Sequence, residues 1–104
     1  DNAGALADLD QAVSLSPRAA NAYYTRALVF SLNGQYRRAV EDATRALELR
    51  NNAYPEARLA RADALLALGA TQRAKDDLFQ LDVAALDPAL QDLAAQLKQR
   101  LVAP

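Results

Sequence analysis

The chain has 104 residues, 12 basic and 13 acidic side chains, and a formal net charge of −1. It therefore has room for one domain of common size and carries no global field that would draw in nucleic acid. Cysteine and histidine are both absent, which removes disulfides, thiol chemistry, thiolate–metal sites and the usual proton shuttle together.

Residues 3–15 place Leu6, Leu9, Val13 and Leu15 at helical spacing, with Ala5 and Ala12 between them, so a first helix is predicted there. Ser16-Pro17 is expected to end it and to start the next, with Ser16 as cap and Pro17 in the first turn. The second helix is predicted from about residue 18 to 32 and closes at Asn33-Gly34, where a left-handed residue is needed. A third follows from about 36 to 50 and breaks at Asn51-Asn52. Pro55 opens a fourth, which ends at Gly69; a fifth runs from about 71 to 82. Asp87-Pro88 gives another cap-plus-proline start. The sixth helix, about 88–102, has Leu90, Leu93, Ala94, Leu97 and Leu101 on one stripe and suits the closing of an array.

The pattern of residues 22–52 recurs about 34 residues to either side. Gly34 returns as Gly69, Ala39 as Ala74 and Ala27 as Ala62; backwards, Ala46 maps to Ala12, Leu49 to Leu15 and Ala39 to Ala5. A fixed period of this size predicts a solenoid of helical hairpins, which buries its core only by stacking neighbours. On Tyr23, Ala27, Gly34, Tyr36, Ala39 and Ala46, with Pro17 entering the repeat, the chain resembles the tetratricopeptide repeats. The later repeat keeps Ala62, Gly69 and Ala74. It departs at Arg58, Thr71 and Leu81, and one extra residue falls around Asn51–Tyr54. The resemblance implies an all-α, right-handed α-solenoid of about six helices over residues 1–104. Its parts are the second helix of a partial repeat (3–16), a complete repeat (18–52), a divergent repeat (53–82) and a capping helix (87–102). The opening Asp1-Asn2 reads as the start of a C-terminal piece of a longer array. Richness in Ala and Arg (only Lys75 and Lys98 are lysine) suggests a bacterial source, with the cytoplasm favoured over the periplasm.

Asp8, Asp42 and Asp77 share one register in the three second helices, and Arg26 and Arg61 share another in the two first helices. An Arg–Asp ladder at the packing seam is expected, with a structural role in fixing register. Without His or Cys, the only nucleophile candidates are Ser14, Ser16, Ser31, the Thr and Tyr hydroxyls and the two lysines, and none sits in a catalytic motif. Asp76 and Asp77 point about 100° apart on a helix, so they do not converge as an acid/base pair; they read as a solvated face near Arg73. Arg37, Arg38 and Arg45 resemble a basic patch, but Arg37–Glu41 and Arg38–Asp42 at i,i+4 are expected to neutralise much of it. No stretch approaches the ~18 uninterrupted apolar residues of a membrane span.

The resemblance implies a non-enzymatic interaction module without cofactor or metal. Its first helices would line a concave groove for a partner peptide or helix: Asn21, Tyr24, Leu28 and Ser31 from one hairpin, Glu56, Leu59, Asp63 and Leu66 from the next. One subfamily clamps a C-terminal carboxylate with Lys, Asn and Arg in such a groove. Here Tyr24, Thr25, Leu28, Glu56 and Ala60 stand at those positions, so that clamp is absent. The alternatives are a regulatory or docking domain of a larger enzyme, or a self-assembly module that associates through the N-terminal helix, where Leu6 and Leu9 would be partly exposed.

Overall fold

The computed structural model describes residues 2–102; Asp1, Ala103 and Pro104, the ends of the expected 1–104 domain, lie outside the described residues. Six α-helices follow one another: α1 (Asn2–Leu15), α2 (Ala20–Leu32), α3 (Tyr36–Leu49), α4 (Pro55–Ala67), α5 (Thr71–Phe79) and α6 (Pro88–Val102), with a 3-10 turn at Val83–Ala85. The described residues contain no strand. Consecutive helices pack on each other, and α2 also touches α4. The body is elongated, 43 × 26 × 23 Å.

Three apolar clusters run along the stack. Ala20, Ala46, Leu47, Tyr54 and Ala57 join the start of α2 to α3 and α4. Ala27, Phe30, Ala39, Ala43 and Ala64 fill the turn end of the same three helices. Leu59, Ala62, Leu78, Leu86, Ala94 and Leu97 tie α4 and α5 to α6. Ala27, Ala39, Ala46, Ala62 and Ala74 are each no more than 1% exposed. A methyl side chain at each of these points lets neighbouring axes approach to about 8–10 Å.

Both predicted glycine turns have the geometry that requires glycine. Gly34 has φ +76° and Gly69 φ +80°. Around Gly34, the Gln35 N–H reaches the Phe30 carbonyl at 2.8 Å and the Gly34 N–H reaches Ser31 at 3.0 Å. Gly69 and Ala70 repeat this pattern on Leu66 and Leu65. These paired bonds satisfy carbonyls that a helix end otherwise leaves free. Helix α3 ends the same way with asparagines: Asn51 and Asn52 have φ 54° and 65°, and the Asn52 N–H reaches Leu47 at 2.8 Å. The two left-handed residues accommodate the extra residue of this repeat. Asparagine tolerates that backbone better than other side chains.

Two expectations about the elements are corrected. Pro17 does not lie in the first turn of α2: Pro17-Arg18 forms a turn, α2 begins at Ala20, and its cap position is Ala19, without a side-chain cap. The Ala19 N–H instead reaches the Ser16 carbonyl at 3.0 Å. Helix α5 ends at Phe79 rather than near 82. Leu81 takes the register of the fully buried Ala46, and its larger side chain does not fit between axes spaced for a methyl. The chain leaves the helix first, and Leu81 and Leu86 pack against α6. The expected start of α6 holds: Asp87 caps it, accepting from the Leu90 N–H at 3.0 Å. Its buried Ala94 and Leu97 pack with Leu59, Ala62 and Leu78, so α6 covers the α4–α5 hairpin.

Candidate functional site

Two kinds of polar site arise from this stack: a closed seam of ion pairs inside it and an open cleft on the first-helix face.

In the seam, Arg26 donates from Nε and Nη2 to the two carboxylate oxygens of Asp42 at 2.7 and 2.9 Å. Arg61 does the same with Asp77 at 2.8 and 2.7 Å. Both aspartates are buried, 6% and 4% exposed, which favours the paired fork geometry over water. Each arginine also reaches backwards. Arg26 donates to Asp10 at 3.0 Å, and Arg61 to the Thr44 hydroxyl at 3.2 Å. Asp10 and Thr44 are themselves 34 residues apart, so the backward contact repeats as well. Arg26 lies within 6 Å of two ring centres, 5.7 Å from Tyr23 and 5.6 Å from Phe30. Its hydrogen bond to Asp42 raises an already high pKa further, so the guanidinium stays charged.

Asp8 does not join this seam. It has the register of Asp42 and Asp77 but is exposed, and no arginine pairs with it among the described residues. Asp77 corrects the expectation of a solvated Asp76-Asp77 face. Only Asp76 is exposed there, accepting from Gln72 Nε2 at 3.0 Å. Arg58 stands where the repeat pattern has an aromatic. It donates to Asp77, to Gln80 and to the Asn52 carbonyl, each at 3.3 Å. Tyr23, 35 residues earlier, donates to the Pro17 carbonyl at 3.0 Å. Both side chains thus tie a first helix to the loop residue six positions before it, and that shared offset was the available signal.

The expected i,i+4 pairs of the basic patch also need correction. Asp42 is held by Arg26, and Arg38 instead donates to Gln35 at 3.4 Å and lies 5.6 Å from the Phe30 ring centre. Arg45 pairs with Glu48 at 3.8 Å.

The eight expected groove residues fall into three environments. Leu28, Ser31 and Asp63 line one cleft of about 520 Å³, together with Leu32, Tyr36, Ala67 and Arg100. Leu28 and Leu32 are 39% and 75% exposed. Tyr24 packs on Tyr54 with ring centres 5.4 Å apart; burial, then Tyr54, Glu56 and Asp87, raise its phenol pKa. Glu56 is half-buried and Asn21 is exposed. Leu59 is not a groove residue: it is 1% exposed and packs with Leu86, Ala94 and Leu97, because α6 covers that part of α4. Leu66 is half-buried against the same cluster.

Stacked helical hairpins held by small residues define an all-helical repeat protein. Residues 20–52, about a third of the chain, match the family model for the tetratricopeptide repeat, and the all-helical stack around that match has the arrangement of such a repeat array. No curated protein matches the chain. Tetratricopeptide repeats are non-catalytic and generally mediate protein–protein interaction. Among the described residues, no helix is long and apolar enough to cross a membrane.

Proposed function

We propose that this protein binds a segment of a partner protein on the face formed by α2, α4 and α6, and so acts as a scaffold. The observation that carries the reading is the cleft of about 520 Å³ between these helices. Its α2 wall leaves Leu28 and Leu32 open to solvent. An apolar cleft with a few polar groups is the usual setting for an inserted helix or extended segment. The test is a pull-down that compares the wild type with Leu28→Glu/Leu32→Glu, and with Arg45→Glu as a control on the exposed side of α3. Partners lost with the first variant and kept with the second are expected. Partners kept by the first variant would sink the reading.

A second reading, self-association through α1, rests on one observation. No residue of α1 is buried, and Leu15 is 76% exposed. Sedimentation at rising concentration decides it; a constant monomer mass would end the idea.

A further inference from the structure

The cleft differs from an ordinary apolar groove in one respect: its wall carries a carboxylate that no side chain of the molecule pairs, with its oxygens open to the cleft. Asp63 is half-buried and lines the cleft beside Leu28, Leu32 and Ala67. It makes neither a hydrogen bond nor an ion pair among the described residues. Burial raises its carboxyl pKa, and Arg100, which lines the same cleft, partly offsets this. The contrast with the seam is informative. Asp42 and Asp77 are each closed by an arginine fork from inside the chain. Asp63 is only partly shielded from water, has no donor from the chain, and keeps its oxygens accessible to an incoming group. Nothing in the repeat demands an acid there, because the equivalent residue of α2 is Leu28.

We propose that the cleft receives a partner segment that presents one Lys or Arg side chain to Asp63, flanked by aliphatic residues that cover Leu28 and Leu32. The inference rests on the docking reading above. A free inorganic or small organic cation does not account for the site, because it would leave the leucine wall exposed. A cationic side chain satisfies the carboxylate, and its aliphatic neighbours bury that wall in the same step. Arg100 also lines the cleft and disfavours a second basic residue beside it.

The probe is a library of random twelve-residue peptides displayed on phage, selected on the folded full chain and then on Asp63→Asn, Asp63→Lys and Leu28→Glu. Circular dichroism melts show that each variant is folded. The wild type should enrich peptides with a single Lys or Arg between aliphatic residues. Asp63→Asn should weaken those peptides about tenfold or more, as expected for a partly desolvated charge pair. Asp63→Lys should turn the preference to acidic peptides. Peptides that need Leu28 but carry no basic residue, or that bind Asp63→Asn equally well, would overturn this proposal and leave the docking reading standing. Peptides indifferent to Leu28→Glu, or no enrichment at all, would overturn both. Self-association abolished by Leu28→Glu would place a second copy in the cleft and overturn the assignment to a different protein.

Discussion

Removing the Asp77 carboxylate should be the most damaging single change to the polar seam. In Asp77→Ala, three arginine hydrogen bonds are lost: two from Arg61 at 2.7–2.8 Å and one from Arg58 at 3.3 Å. The aspartate side chain is 6% exposed, and Arg61 and Arg58 are 19% and 13% exposed. Breaking a buried pair on one side costs about 3–5 kcal/mol because the remaining charge is stranded. Here Arg61 keeps Thr44, and Arg58 keeps Gln80 and the Asn52 carbonyl. The loss should therefore sit near the lower end, at ~3 kcal/mol. Asp42→Ala strands only Arg26, which retains its ion pair to Asp10, so ~2 kcal/mol is expected. Urea denaturation followed by helical circular dichroism measures both, and Asp76→Ala provides the exposed control. A double-mutant cycle with Arg61→Met should return a coupling of ~1 kcal/mol or more. If Asp77→Ala costs no more than Asp76→Ala, or if the order of Asp77 and Asp42 is reversed, the account of the seam is wrong.

Two further outcomes follow from backbone and packing. Gly34→Ala and Gly69→Ala should each lower stability by ~1 kcal/mol, entirely through the positive φ, because a Cβ at either site meets nothing within 4 Å. Melting curves unchanged by both swaps would contradict the left-handed turns. Ala39→Leu and Ala62→Leu should each overpack the seam between helices and cost ~1–3 kcal/mol, whereas Ala84→Leu, in the exposed turn before α6, should be nearly silent in the same melt.

What the sequence made legible was steric. A buried alanine at a fixed interval or a glycine after a helix has few substitutes, so Ala27, Ala39, Ala62, Gly34 and Gly69 mark their own surroundings. The Arg26–Asp42 and Arg61–Asp77 contacts were readable because each pair has the same separation of 16 residues. Asp8 misled for the complementary reason: register identifies a position but not whether a partner arginine reaches it. Leu59 looked like Tyr24 because both take the same place in their repeat. Only the three-dimensional path of residues 80–88 brings α6 over one and not the other. Arg58 was unreadable as a tyrosine substitute, since its role depends on reach to a loop carbonyl and not on aromatic character. The Pro17 turn failed because Ser16 uses its backbone carbonyl where a side-chain cap was expected.

The two backward contacts of the seam differ in kind, and this sets the order in which the array comes apart. Arg26 holds α1 through an ion pair to Asp10, whose side chain is 64% exposed, and α1 contributes no buried residue. Arg61 holds α3 through a neutral hydroxyl, Thr44, amid fully buried alanines and leucines. Salt screens the first junction and leaves the second almost untouched. Helix α1 should therefore open separately, its amide protons exchanging early and faster at high ionic strength, while those of α2 to α4 exchange together and slowly.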